Sequence, residues 1–116
     1  MEGGQTNEFR PLILVAEDDD SNFKLIKAII GKKCDIQWAK NGEEIVALFK
    51  EYGKEAKAIL MDIKMLVMNG LDATKIIREE NKEIPIIMQT AYAFSSDKEN
   101  AMNAGASEVL VKPITL

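Results

Sequence analysis

The sequence predicts an α/β fold, a three-layer sandwich with a parallel sheet between two layers of helix. Three observations predict it. Apolar runs with no polar break, such as Leu12–Ala16 and Ala58–Met61, read as strands buried on both faces. Between the runs stand segments whose apolar residues recur three and four apart, the helical period. The connections are only a few residues long, and right-handed crossovers between parallel strands must place helices on both faces.

Met1–Arg10, with Gly-Gly, Gln, Thr and Asn and no periodicity, reads as a flexible arm or linker. Pro11 punctuates, and Leu12–Ala16 is the first strand. It runs into four acids, Glu17-Asp18-Asp19-Asp20. Ser21 and Asn22 are capping types for a helix over Ser21–Ile30, apolar at Phe23, Ile26, Ile29 and Ile30 and stopped by Gly31. Asp35–Ala39 is a short second strand, with Ile36 and Trp38 alternating with Gln37. Trp38 reads as a half-buried strand residue. Asn41-Gly42 reads as a turn before a helix over Glu43–Tyr52, apolar at Ile45, Val46, Leu48 and Phe49 and closed by Gly53.

The central strand Ala58–Met61 ends on Asp62. A third helix follows from about Leu71 to Asn81, with Leu71, Thr74, Ile76 and Ile77 inward. Ile84–Thr90 is a fourth strand, with Pro85 in its first turn, where a missing donor is tolerated. Ser95 or Ser96 caps a fourth helix ending at Gly105, and Val109–Val111 is the fifth strand. Sheet order 2-1-3-4-5, the flavodoxin-like solution, accommodates this succession. The chain ends at Leu116, where a fifth crossover helix is expected. Without it the last two strands lack a cover on one face. Each large side chain such a helix buries is worth roughly 1.5–3 kcal/mol, a sizeable part of a stability of order 5–15 kcal/mol. The expected domain is therefore 11–116, truncated before its last helix, with a partner, a homodimer or a swapped segment as the alternative cover.

The 116 residues suit one domain, and a hydrophobic fraction of 47% suits a folded core. With net charge −4 and no basic run, nothing is placed to meet nucleic-acid phosphates. Histidine is absent, which excludes His-based acid–base catalysis and His-ligated zinc. The one cysteine, Cys34, has no partner for an internal disulfide and suits a reducing compartment. No apolar run reaches membrane-spanning length. The expected location is cytoplasmic, with no direct contact to a membrane. The six methionines read as core filler rather than ligands.

Open parallel sheets gather their chemistry at the carboxyl ends of the strands. Those ends carry Glu17-Asp18, Asp62, Thr90 and Lys112. Clustered carboxylates repel one another, and a hard divalent ion such as Mg²⁺ relieves this with oxygen ligands. Read blandly, the acid run is a solvated loop and Asp62 only caps its strand.

In this order and spacing the motifs Leu-Ile-Leu-Val-Ala-Glu-Asp-Asp, Leu-Met-Asp-Ile-Lys-Met, Met-Asn-Gly, Thr-Ala and Lys-Pro resemble the receiver domain of the response-regulator family. The resemblance runs from about Leu12 to Pro113. Met-Asp-Ile-Lys-Met and Gln-Thr-Ala-Tyr-Ala-Phe are most similar to receivers of hybrid sensor histidine kinases. The resemblance implies a phosphorelay module that takes a phosphoryl group from a phosphohistidine donor and switches conformation. It implies Asp62 as phosphoacceptor. Asp18 and Asp62 would hold Mg²⁺ by side chain, Glu17 through water and Lys64 through its backbone carbonyl. Thr90 and Lys112 would each meet a phosphoryl oxygen, Lys112 pairing with Asp62 beforehand. Ala91 would leave room for the phosphoryl group, Lys64 and Tyr92 would tune water access, and a cis bond would join Lys112 to Pro113. Such a module is no stand-alone enzyme, although it catalyses its own phosphorylation and dephosphorylation.

Three positions depart from the family pattern. Leu66 stands in place of a proline, Ile45 in place of a frequent alanine, and Val109 in place of an aromatic switch residue. Other readings of the same residues are a degenerate receiver that only binds or dimerises, and a Mg²⁺-dependent phosphohydrolase with Asp18-Asp19-Asp20 as its nucleophile site. The hydrolase leaves Asp62 unexplained. A flavin binder lacks its phosphate loop after the first strand.

Overall fold

The computed structural model describes residues 9–91 and 95–112. Five strands alternate with four helices among them: β1 (Leu12–Ala16), α1 (Asp20–Ile30), β2 (Asp35–Ala39), α2 (Gly42–Tyr52), β3 (Ala56–Asp62), α3 (Gly70–Glu80), β4 (Ile86–Thr90), α4 (Ser95–Ala104) and β5 (Glu108–Val111). All neighbours pair in parallel, in the order β2-β1-β3-β4-β5. No helix among the described residues is long and apolar enough to cross a membrane.

Strand alternation divides the core in two. Leu14, Ala16, Ile59, Met61, Ile86 and Met88 face α2, α3 and α4, where Ile45, Phe49, Ala73, Ile77 and Ala101 meet them. Val15 and Leu60 face the other way, onto Ile26 of α1, with Ile13, Phe23, Ile30, Ile36 and Ile87 around them. Among the described residues α1 is the only helix on that face. A groove of about 240 Å³ runs beside it, lined by Ile26, Ile30, Cys34, Ile87 and Leu110 among others. Leu110 and Val111 of β5 are exposed.

Local chemistry moves several boundaries. Asp19, not Ser21 or Asn22, caps α1, its carboxylate accepting from the Ser21 N–H. Asn41 is no turn residue but the cap of α2, its side chain accepting from the Glu44 N–H, and Gly42 opens the helix. Asn69 caps α3 in the same way. β3 begins earlier than the apolar run suggests, at Ala56, and β4 later, at Ile86. Before Ile86, the Asn81 side chain takes the N–H groups of Glu83 and Ile84, which bends the chain away from the ladder. α4 begins at Ser95, and the expectation that Ser95 or Ser96 caps it lies outside the described residues. So do the expectations for Tyr92 and the Lys112–Pro113 bond, and the arm over residues 1–8. Arg10 is anchored: its guanidinium donates to the Asp35 carboxylate and to the carbonyls of Gly31, Lys32 and Cys34.

Candidate functional site

The acid run after β1 divides into four distinct roles. Glu17 is fully buried; Asp18, Asp19 and Asp20 are exposed. Glu17 continues the β1 ladder, donating its N–H to the Ala39 carbonyl at 2.9 Å. Its carboxylate accepts from the Asp19 N–H and from the Asn22 amide. Asp19 is spent on the cap of α1, and Asp20 lies 3.4 Å from the Lys40 ammonium. Among the described residues Asp18 has neither hydrogen-bond nor ion-pair partner. It is the member of the run with an unengaged carboxylate.

Asp62 ends β3, buried at 4% exposure. The chain turns back over it: the Gly70 N–H donates to Ile63 O, and a Cβ on Gly70 would stand 2.1 Å from the Asp62 carbonyl. Only glycine allows α3 to start that close. The same loop is held at its far side, where the Gly42 N–H donates to Met68 O at 2.8 Å and a Cβ on Gly42 would collide with it. Lys64 lies in this loop, exposed, two residues beyond Asp62. Between the two clamps Val67 has φ 69° and the Met68 N–H donates to Leu66 O, a γ-turn of the strained hand. Leu66 and Val67 are left 77% and 74% exposed.

Lys112 follows β5, its N–H donating to Thr90 O. Its ammonium reaches Asp62 Oδ2 at 3.0 Å and Glu17 Oε1 at 3.2 Å. Oxygens of Glu17, Asp18 and Asp62 lie within 4.8 Å of one another. The structure thus brings Glu17, Asp18, Asp62 and Lys112 together at one rim. Thr90, buried at the end of β4, is beside it in the sheet, with its hydroxyl 3.4 Å from Asp97 Oδ2 in the first turn of α4. Ala91 follows, exposed.

Burial raises the Asp62 pKa to about 6; the Lys112 bond pulls it down and the Glu17 charge pushes it up again. For Lys112, burial works against the charged form, but the bond and charge of Asp62 and the charge of Glu17 outweigh it, and its pKa is raised. The arrangement is a buried carboxylate bonded to the Lys112 ammonium, with an all-oxygen donor set from Glu17, Asp18 and Asp62. Such a set suits a small, hard divalent cation rather than a thiophilic one.

Three residues that serve the rim are not visible as such in the sequence. Asn22 holds Glu17 instead of capping its helix. Asp97 holds Thr90 from seven residues away. Trp38 donates its indole N–H to the Glu17 carbonyl at 2.8 Å. Only the strand register, which sets Trp38 opposite Val15, reveals the last of these.

Fold and rim together define a parallel α/β domain with an acid cluster at the carboxyl ends of its strands, and comparison with known proteins gives the family. The model of the response regulator receiver domain matches residues 13–116, and the chain belongs to that family. It is 41% identical over 110 residues to hybrid signal transduction histidine kinase I of Dictyostelium discoideum, covering 88% of this chain and 6% of that protein. It is 36% identical over 104 residues to the autoinducer 2 sensor kinase/phosphatase LuxQ of Vibrio vulnificus, covering 88% of this chain and 12% of that protein. The chain thus spans a small part of the length of these kinases. The polar-differentiation response regulator DivK of Brucella anthropi is 30% identical over 107 residues, with 90% of this chain and 85% of that protein covered. Among solved structures, the receiver domain of Ssk1 from Saccharomyces cerevisiae, crystallised with the histidine phosphotransfer protein Ypd1, matches at TM-score 0.83 and 28% identity, over 91% of this chain and 81% of that one. The CheX–CheY–BeF₃–Mg²⁺ complex of Borrelia burgdorferi matches in fold at TM-score 0.87 and 24% identity, over 97% of this chain and 85% of that one. This is a receiver domain of two-component signalling, with hybrid histidine kinases among its relatives.

Proposed function

We propose that the domain accepts a phosphoryl group from a phosphohistidine donor onto Asp62, with Mg²⁺, and relays it by a change of conformation. The observation that carries this reading is the convergence on Asp62: Lys112 at 3.0 Å, with Glu17 and Asp18 completing an acid set within 4.8 Å. Asp18 and Asp62 would hold Mg²⁺ by side chain, with Glu17 through water and the Lys64 carbonyl completing the protein donors. Bound there, the ion supplies charge stabilisation for phosphoryl oxygens.

This chain's own residues do the rest. At neutral pH Asp62, with a pKa of about 6, is mostly ionised and able to attack. One carboxylate oxygen bonds to phosphorus as the phosphorus–nitrogen bond of the donor breaks, and the imidazole departs with that electron pair. The transition state is loose, so positioning and cations dominate catalysis. Lys112 turns from Asp62 toward a phosphoryl oxygen, and the Thr90 hydroxyl donates to another. Water later attacks the acyl phosphate and restores Asp62. The phosphoryl group passes from the donor to the domain's own Asp62 and then to water as inorganic phosphate, so the domain acts as a relay and not as a stand-alone enzyme. The partner is a histidine kinase or phosphotransfer domain, a reading supported by the Ypd1 complex of the related Ssk1 receiver.

Incubation with acetyl phosphate or a phosphorylated phosphotransfer domain tests this. Mass spectrometry should show one added phosphoryl group, dependent on Mg²⁺ and lost in Asp62→Asn. Phosphorylation that survives Asp62→Asn, or multiple turnover that depends on Asp18 and not on Asp62, would sink the proposal.

A further inference from the structure

We infer that Trp38 is a positioning residue: it fixes the main chain of the acid run in its cation-binding shape, so the Mg²⁺ affinity depends on the indole N–H. The inference rests on the reading of the rim as a Mg²⁺ site. Trp38 pairs with Val15, two residues before the run, and its Nε1 reaches forward to the Glu17 carbonyl at 2.8 Å. The N–H of the same residue is held by Ala39 O. Both peptide groups flanking Glu17 are therefore tied to β2, and the second of them joins Glu17 rigidly to Asp18.

The indole is itself immobilised. Phe23 stacks on it with ring centroids 3.9 Å apart and planes 1° from parallel. The Lys40 ammonium lies 4.8 Å from the ring centroid and 3.4 Å from the Asp20 carboxylate. Phe23 and Asp20 both belong to the start of α1, whose cap is Asp19. Trp38 thus joins the strand that enters the acid run to the helix that leaves it. Between those anchors the unengaged carboxylate is that of Asp18. A ligand set fixed before the ion arrives loses less freedom on binding, and groups that orient ligands commonly contribute ten- to a hundredfold in metal affinity.

The test is a calorimetric Mg²⁺ titration of three proteins: the wild type, Trp38→Phe, and a chain with benzothienylalanine at position 38. The last keeps the bicyclic ring and its stacking but has no N–H. Both altered chains should bind Mg²⁺ about tenfold more weakly. At saturating Mg²⁺ their phosphorylation by acetyl phosphate should return to the wild-type rate, a recovery that general loss of structure does not give. Wild-type affinity in the benzothienylalanine chain overturns the inference, whatever Trp38→Phe does. A wild type that takes up no Mg²⁺ overturns the reading of the rim itself.

Discussion

The Lys112 ammonium sits 3.0 Å from Asp62 Oδ2, and the same atom lies 3.2 Å from Glu17 Oε1. Glu17 and Asp62 are both buried, and two such carboxylates cannot stay ionised side by side without a cation. Lys112 is that cation in the metal-free molecule. Lys112→Met keeps the stem and removes the charge. It should cost the metal-free protein about 2–3 kcal/mol, below the usual figure for a broken buried pair because Lys112 is partly solvated. Mg²⁺ should then raise the melting midpoint more in the variant than in the wild type, since the ion replaces the missing charge. Equal increments in the two proteins would show that Lys112 is not the counter-charge.

The raised Asp62 pKa makes stability depend on pH in a defined direction. The folded group titrates near 6 and the unfolded one near 3.8. Between those values the folded state binds the extra proton, so stability falls as pH rises. The contribution is fully present below pH 4 and lost above pH 6. In chelator, Asp62→Asn should therefore melt close to the wild type at pH 4 and clearly above it at pH 7. A constant offset between the two melting curves across that range contradicts the assignment.

Most of the fold was legible because buried parallel strands leave uninterrupted apolar runs, as Leu12–Ala16 does, and because helical periodicity survives in α2 and α3. The rim residues Glu17, Asp18, Asp62, Thr90 and Lys112 were legible as strand ends, since topology alone carries such ends to one edge. The structure joins Glu17, Asp62 and Lys112 directly, sets an Asp18 oxygen within 4.8 Å of those of Glu17 and Asp62, and places Thr90 beside them. Cap identity was less legible. Asp19, Ser21 and Asn22 are all capping types, and which one caps depends on Glu17 claiming Asn22. The parts played by Trp38 and Asp97 depend on distances between elements, which no local pattern encodes.

Thr90 is held by more than its strand. Its hydroxyl lies 3.4 Å from Asp97 Oδ2, and Asp97 is placed in the first turn of α4, where the helix dipole also favours an acid. Val109, in place of an aromatic residue of the family pattern, is buried. A swing of the hydroxyl toward a phosphoryl oxygen gives up the Asp97 contact. Asp97→Ala should therefore favour the switched state. Its affinity for beryllofluoride with Mg²⁺, followed by NMR, should rise about threefold, as the loss of one weak hydrogen bond from the resting state implies. An unchanged or lower affinity would mean that the contact does not oppose switching.

The loop after Asp62 carries a measurable cost. Val67 has a positive φ, a conformation in which a β-branched side chain crowds its own backbone. For an L-residue this costs roughly 1–2 kcal/mol. The loop does not relax because both ends are pinned, Met68 O by the Gly42 N–H and the Gly70 N–H by Ile63 O. Val67 is 74% exposed, so its side chain contributes little packing in return. Val67→Gly removes the crowding while adding about 0.5–1 kcal/mol of backbone entropy to the unfolded chain. The net expectation is a gain of about 0.5–1 kcal/mol, read as a higher urea midpoint at unchanged slope. Val67→Ala keeps a Cβ at the strained φ and should gain less than the glycine. If alanine stabilises as much as glycine, the cost lies in the exposed valine side chain and not in the turn.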